Sequence, residues 1–180
     1  SFRSVQDRID FLKSKLVPDN KDLPKDILVD RNNDGKFDWH DLEVESERIR
    51  LIEDTDGDGK VDRSYIYADG FNTLVSGVAA GIAVKGEDVY FTCIPDLWLL
   101  KGVDKDGKAK ERVPLLSGFG VHIAYGGHDM HGLKFGYDGK LYFSIADRGT
   151  HVETKESKTI ALPDTGAVFR CNPDGTEFEV

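Results

Sequence analysis

The sequence predicts an all-β fold built from repeated units of four short strands, and three observations support this prediction. The chain of 180 residues contains 19 glycines and 10% aromatic residues, a composition typical of strands joined by tight turns. Stretches of alternating polar and apolar residues recur from Arg48 onward, and turns rich in Asp and Gly separate them. No helical apolar pattern lies between these stretches, so we do not expect parallel strand–helix–strand units.

An internal repeat identifies the structural unit. The segments 81–91 and 132–143 share one pattern of two strands around a turn, and their tyrosines, Tyr90 and Tyr142, are 52 residues apart. The turn Asp58–Lys60 recurs 48 residues later. Four short strands in a period of about 50 residues are the signature of a β-propeller blade.

The same patterns place each element in order. One helix is predicted over 4–16, because its apolar residues fall at helical spacing, with Ser4 as the N-cap and Asp7 three residues later. The strands are predicted at 48–53, 63–69, 81–84, 88–94, 97–101, 112–116, 132–136, 140–146, 167–172 and 176–180.

These strands make up about two and a half four-stranded blades, fewer than the four that a closed propeller needs. Residues 81–116 form one blade, residues 132–180 form a second, and residues 48–69 supply the outer two strands of a preceding blade. We therefore expect a fragment of a larger propeller, divided into residues 1–47 with the helix and a calcium loop, and residues 48–180 with the blades. The alternative is a small antiparallel sandwich with no missing part.

The charge balance limits the classes of partner. The chain carries 24 Lys and Arg against 33 Asp and Glu, a formal net charge of −9. This charge argues against nucleic acid or an anionic membrane as the main partner, and it favours cation binding. No apolar stretch is long enough to cross a bilayer, so no membrane span is predicted.

The segment 30–41 matches the calcium loop of the EF-hand type. Oxygen donors occupy the first, third, fifth, ninth and twelfth positions, and Gly35 occupies the sixth, where such a loop turns sharply. The predicted ligands are Asp30, Asn32, Asp34, the backbone carbonyl of Lys36, Asp38 and Asp41. Asp41 replaces the usual glutamate, as in the dockerin version of this loop.

A second acidic loop, at 54–62, has the same opening sequence. Its predicted ligands are Asp54, Asp56, Asp58, the carbonyl of Lys60, and Asp62. Tyr65 stands at the twelfth position, so the closing ligand has to come from Glu53 or water. The alternative is an acidic turn without metal. Either bound Ca²⁺ would stabilise a hairpin by cancelling the repulsion between like charges.

Four of the five histidines, at positions 122, 128, 131 and 151, fall close together in the sequence. The innermost strand of a blade begins on the face of the propeller where the second strand of that blade ends, so the residues before the first strand lie beside those after the second. We therefore expect a cluster at the channel mouth that contains His128, Asp129, His131, Asp147 and Arg148. A histidine oriented by a carboxylate, here Asp147, can act as general base on an alcohol. The alternatives are histidines that bond loop carbonyls, or a zinc site with His128 and His131 that lacks a third ligand at a diagnostic distance.

Several of these motifs together resemble a known family. The motifs lie, in order, at 50–63, 67–71, 115–120, 131–142 and 168–175. They are similar to repeats of the large propeller proteins described as membrane-bound dehydrogenases of planctomycetes and verrucomicrobia, which often carry a c-type haem domain. The resemblance covers roughly residues 48–180. That family is similar in turn to the soluble quinoprotein glucose and sorbosone dehydrogenases, which are six-bladed propellers.

The resemblance implies a segment of a calcium-stabilised, quinoprotein-like sugar or alcohol dehydrogenase outside the cytoplasm. It implies that His131 or His128 removes the substrate hydroxyl proton, and the Gly-Leu of the motif, which directly follows His131, favours His131. It also implies that pyrroloquinoline quinone takes the hydride and that Arg148 faces a quinone carboxylate. The implied partners are a sugar or alcohol, the remaining blades of the same propeller and a c-type cytochrome domain. The alternative is a non-catalytic propeller that serves as a binding or scaffold module. This segment has no Cys-x-x-Cys-His motif, so no c-type haem attaches to it.

Overall fold

The computed structural model describes residues 1–18, 20–22, 29–44, 46–123 and 127–180. The described chain is mostly β, as the sequence predicts. The helices are α1 (Val5–Lys15) and a 3₁₀ helix (Trp39–Glu43). The strands are β1 (Glu47–Glu53), β2 (Arg63–Phe71), β3 (Gly81–Lys85), β4 (Asp88–Cys93), β5 (Asp96–Val103), β6 (Ala109–Ser117), β7 (Met130–Phe135), β8 (Leu141–Ile145), β9 (Thr150–Glu153), β10 (Thr159–Leu162) and β11 (Ala167–Cys171).

The helix α1 begins where the sequence predicts it, because a capping box fixes its first turn. The Ser4 hydroxyl accepts a hydrogen bond from the Asp7 backbone N–H at 3.2 Å, and the Asp7 carboxylate accepts one from the Ser4 N–H at 3.0 Å. The one residue of α1 that is buried is Arg8. The helix therefore contacts the rest of the fold through a charged side chain.

Strands β3 to β6 form a four-stranded antiparallel sheet in the order β3-β4-β5-β6. Residues 81–116 were predicted as one such unit, and this grouping is confirmed. Successive side chains of β4 and β5 point to opposite faces of the sheet, as the pleat requires. Tyr90 and Leu99 belong to the apolar cluster on one face, and Phe91 and Leu100 belong to the cluster on the other.

The two faces of this sheet are covered by different elements. The antiparallel pair β1–β2 packs on one face, where Ile49, Tyr67 and Phe71 complete the cluster. The three-stranded sheet β11-β8-β7 packs on the other, where Phe143 and Phe169 lie in the shared core. At the edge between the two larger sheets, Ala80 pairs in parallel with His131. The repeats are thus separate sheets stacked on one another.

The last part of the chain differs from the prediction. Strands β9 and β10 form a separate hairpin that the alternation did not reveal, inserted between β8 and β11. The prediction of a strand at 176–180 was wrong, because the sheet predicted with four strands over 132–180 has three and the structure shows only an isolated bridge between Arg170 and Glu179 there. Their backbones exchange two hydrogen bonds of 3.0 Å each. Across the described ranges, no helix has the length and apolar character that crossing a membrane requires.

Candidate functional site

The pairing of β7 with β8 brings two predicted catalytic residues together. Met130 at the start of β7 lies opposite Ile145 at the end of β8. His128 precedes β7 and Asp147 follows β8, so both lie at the same end of the sheet. The distance between His128 Nδ1 and Asp147 Oδ1 is 2.6 Å. The two side chains are 44% and 65% exposed, so a molecule in solution can reach the imidazole.

The next residue of each segment forms a second pair, and this one is buried. Arg148 Nη1 donates to Asp129 Oδ1 at 2.5 Å, and the side chains are 11% and 2% exposed. The other Asp129 oxygen accepts a hydrogen bond from the Val78 backbone N–H at 3.0 Å. Arg148 Nε donates to the His122 carbonyl at 3.2 Å. Residues 128–129 and 147–148 therefore form two adjacent pairs, one exposed and one buried.

The buried pair does not fit the predicted role of Arg148 as a cofactor ligand. A quinone carboxylate would have to compete with Asp129, which already neutralises the guanidinium at hydrogen-bond distance. We therefore derive no chemical step through pyrroloquinoline quinone from this site.

His131 lies apart from the carboxylates of the pairs. Its Nε2 bonds the Gly127 carbonyl at 2.7 Å, which is the structural role that the sequence left open for these histidines. His151 Nδ1 similarly bonds the Arg3 carbonyl at 2.9 Å. Within the described ranges, the residues that group as three candidate metal ligands are Asp54, Asp56 and Asp58, and no histidine is among them.

Arg8 is a further buried charge near the Asp129–Arg148 pair, and sequence reasoning missed it. The residue is 2% exposed, its Nη2 donates to the Val75 carbonyl at 2.6 Å, and its Nε has no partner. Burial is the main cause that lowers its pKa to about 9, and the charge of Arg148 acts in the same direction. An arginine on a short helix is normally exposed, so no sequence signal indicates this burial.

A cavity of about 420 Å³ adjoins the buried pair. This volume lies within the range of small-molecule sites. Its polar lining includes Ser46, Glu47, Asn72, Ser76, Asp129 and Arg148. The cavity is a feature that the sequence analysis did not anticipate, because its residues come from segments far apart in the chain.

The second acidic loop brings its first three carboxylates together. Asp54, Asp56 and Asp58 are exposed, and their ligand oxygens lie within 4.8 Å of one another. Backbone N–H groups hold Asp54 in place, with Gly59 donating at 2.9 Å and Gly57 at 2.7 Å. The hydrogen bond from Gly59 is the main cause that lowers the Asp54 pKa. Three ionised carboxylates converging in one loop suit a hard cation such as Ca²⁺.

The two acidic loops share their backbone hydrogen bonds. The glycine at the sixth position donates to the first aspartate at 2.9 Å in each loop, Gly35 to Asp30 and Gly59 to Asp54. Both glycines have positive φ, 81° and 85°, as the sharp turn requires. The predicted metal ligands Asn32 and Asp56 match as well. The side-chain oxygen of each accepts a hydrogen bond from the backbone N–H of the residue two positions later, at 3.0 Å for Asn32 and 3.1 Å for Asp56.

The later predicted ligands are used differently. Asp41 Oδ2 accepts from the Asp38 N–H at 3.0 Å, and Asp38 Oδ1 accepts from the His40 N–H at 2.9 Å, so both cap the 3₁₀ helix. The other oxygen of Asp41, Oδ1, accepts from the Arg31 N–H at 2.8 Å and so also bonds the first acidic loop. Asp62 Oδ2 accepts from the hydroxyl and backbone N–H of Thr55, each at 2.7 Å.

The side chains of Asp34 and Asp58 likewise accept hydrogen bonds within their loops. The backbone N–H of Lys36 donates to Asp34 at 2.9 Å, and that of Lys60 donates to Asp58 at 2.8 Å. The predicted ligands at the seventh position are the carbonyls of Lys36 and Lys60, and within the described ranges neither accepts a hydrogen bond.

One comparison with known proteins gives a match. The family model described as "Domain of unknown function (DUF7133)" matches residues 19–180, which is most of the chain. No curated protein and no solved structure matches the chain.

Proposed function

The chain belongs to the DUF7133 family, and we propose that it is part of a calcium-stabilised β-propeller dehydrogenase that acts on sugars or alcohols outside the cytoplasm. In this proposal His128 is the general base, and Asp147 orients its imidazole. The observation that carries the proposal is the 2.6 Å contact between His128 Nδ1 and Asp147 Oδ1 at an exposed sheet end.

The stacking of the sheets supports the propeller part of the proposal. Each larger sheet is antiparallel and connects neighbouring strands, except where the β9–β10 hairpin is inserted. The parallel contact of Ala80 with His131 places the first strands of the two sheets side by side, as in neighbouring blades around an axis. The pair β1–β2 then corresponds to the outer half of a preceding blade. The remaining blades of a six-bladed propeller are proposed partners, as is a c-type cytochrome domain.

The exposed pair has the arrangement that a general base needs. A carboxylate bonded to Nδ1 holds the imidazole in one orientation and leaves Nε2 to accept a proton from a substrate hydroxyl. Oxidation of an alcohol also requires a hydride acceptor. Because the ion pair of Arg148 does not fit a quinone carboxylate, we assign no residue of this chain to that acceptor.

The proposed calcium ions are structural. Asp54, Asp56 and Asp58 would hold one ion, and the matching opening of the first loop, at Asp30, Asn32 and Asp34, would hold another. Both loops lie at the surface, and the second closes the hairpin between β1 and β2. Bound cations would remove the repulsion among these carboxylates and stabilise the folded chain.

A dye-linked dehydrogenase assay tests the proposal. In this proposal the remaining blades hold the hydride acceptor, so the full-length protein is incubated with Ca²⁺, pyrroloquinoline quinone and a panel of aldoses and alcohols, and reduction of an electron-acceptor dye is followed. Substrate-dependent dye reduction is the expected result. A folded, calcium-loaded protein that reduces no dye with any member of the panel would contradict the proposal.

The second candidate function is a non-catalytic propeller that acts as a binding or scaffold module. The observation that favours it is the buried Asp129–Arg148 pair, in which Asp129 already neutralises the arginine that was predicted to bind a cofactor. A protein that binds small polyhydroxy ligands but shows no dye reduction would support this candidate.

A further inference from the structure

The cavity beside the Asp129–Arg148 pair contains one charge that has no partner. Glu47, the first residue of β1, lines this cavity and is half-buried. Among the described residues, no cation and no hydrogen-bond donor contacts its carboxylate. Its neighbour Ser46 does not serve this role, because its hydroxyl donates to the backbone carbonyl of Glu47 at 2.8 Å.

The other charges that line the cavity cancel. The Asp129 carboxylate is bonded to Arg148 at 2.5 Å, so this pair contributes no net charge. The formal charge of the lining is therefore −1, and it is located on Glu47. In a partly desolvated space a free carboxylate attracts hydroxyl and ammonium donors and repels anions.

The neutral groups of the lining also suit a ligand rich in hydroxyl groups. The Asn72 amide nitrogen donates to the Glu43 carbonyl, and the side-chain oxygen of this cavity-lining residue can accept a further hydrogen bond. The Ser76 hydroxyl accepts from the Thr73 N–H at 3.0 Å and keeps further hydrogen-bonding capacity. Two lining residues, Asp129 and Arg148, directly follow the proposed base His128 and its partner Asp147 in the chain, although this pair does not itself line the cavity.

From this geometry we propose that the cavity is the ligand-binding site and that Glu47 determines its specificity. The site takes a neutral or amino-substituted polyhydroxy compound and excludes its carboxylate analogue. This inference rests on the proposed function, because it names the class of sugar that the proposed base would act on.

The experiment compares three sugars that differ in charge. Binding of glucosamine, glucose and glucuronate to the full-length protein is measured by calorimetry without quinone or dye, in wild type, Glu47→Gln and Glu111→Gln. Glu111 is an exposed carboxylate on β6 outside this cavity, so its variant controls for the loss of one negative charge. We expect glucosamine to bind at least ~10-fold more tightly than glucuronate in the wild type and in Glu111→Gln, since a hydrogen bond to a charged group has about this effect.

The Glu47 variants then decide the assignment. Glu47→Gln is expected to reduce the preference for glucosamine to less than ~3-fold, and Glu47→Lys to reverse it toward glucuronate. An unchanged preference in both variants, equal binding of glucuronate and glucosamine by the wild type, or no binding of any of the three sugars would overturn the inference.

The outcome is independent of turnover. Binding that depends on Glu47 in a protein that reduces no dye would support this site and contradict the dehydrogenase proposal. Dye reduction together with sugar binding that is unaffected by the Glu47 variants would support the dehydrogenase proposal and contradict this site.

Discussion

The Asp129 carboxylate and the Arg148 guanidinium meet at 2.5 Å in the interior, one residue along the chain from the exposed pair of His128 and Asp147. The antiparallel register of β7 and β8, continued past Met130 and Ile145, places residue 128 opposite residue 147, and Asp129 reaches diagonally to Arg148. The buried pair fixes the backbone on each side, and the exposed pair is positioned by it. We therefore expect changes in the buried pair to affect stability and changes in the exposed pair to affect chemistry.

The variant Asp129→Asn tests the structural role of the buried pair. It removes the negative charge that pairs with Arg148 and interacts favourably with Arg8, and it leaves both buried guanidinium groups without that compensation. We expect the free energy of unfolding to fall by about 3–5 kcal/mol, measured by chemical denaturation. The control is Asp164→Asn, which breaks the exposed bridge to Arg3 and should cost less than about 1 kcal/mol. Equal losses in the two variants would contradict this role.

Calcium is expected to raise the melting temperature of the protein, because a cation that binds only the folded state stabilises it by mass action. Asp54→Asn and Asp58→Asn should each reduce that increase, since both carboxylates belong to the convergent group. Asp104→Asn is the control, because Asp104 has a similar turn, with its side chain accepting from the Asp106 and Lys108 N–H groups, but lies outside that group. A melting temperature that neither Ca²⁺ nor chelator alters would count against both loops.

The close approach of the two chain segments at the open end of the β9–β10 hairpin depends on Gly149, which lies opposite Pro163, one position beyond the pair Thr150 and Leu162. A Cβ at this position would lie 2.1 Å from the Pro163 carbonyl oxygen, and the backbone has a φ of 71°. We expect Gly149→Ala to destabilise the protein by about 3 kcal/mol or more, from steric overlap added to the left-handed conformation. Gly139→Ala has a similar φ of 79° but open space around the Cβ, so it should cost only about 1–2 kcal/mol. Similar melting temperatures for the two variants would show that the hairpin does not pack as described.

Asp138 gives the fold a dependence on acid pH. The Tyr142 hydroxyl donates to its carboxylate at 2.7 Å and is the main cause that lowers its pKa below 3.8. Because the folded state binds this proton less tightly than the unfolded state, the contribution is complete above the unfolded pKa and is lost as pH falls through the folded pKa. Wild type should therefore be more stable than Asp138→Asn at pH 6, and the difference should shrink as the pH falls below about 4. A difference that is constant with pH would contradict the assignment.

Much of the fold follows from local sequence patterns. The alternation of β3 to β6 and the turns between them determine the four-stranded sheet, because each strand pairs with its sequence neighbour. The approach of His128 to Asp147 was also predictable, since two consecutive antiparallel strands must bring these flanking residues to the same end. The capping box of α1 is a local signal of the same kind.

Features that depend on distant contacts were not predictable. The strands β9 and β10 have four residues each, too few for alternation to distinguish them from loop. The burial of Arg8 depends on the Val75 carbonyl, 67 residues away. Asp41 was predicted as the closing ligand of a calcium loop, and its use as a helix cap was not predicted; one of its oxygens accepts from the N–H of Asp38 in the cap and the other from the N–H of Arg31 in the loop.

The most direct test of the proposed chemistry compares His128→Asn with His131→Asn in the dye-linked assay on the full-length protein. His131 is the matched control, because it lies three residues away and bonds a backbone carbonyl instead of a carboxylate. The account predicts that His128→Asn lowers turnover by about 100-fold or more, since this is the usual effect of losing a general base, and that His131→Asn changes it by less than ~3-fold. A full loss of turnover in His131→Asn, with His128→Asn still active, would contradict the assignment of His128 as the base.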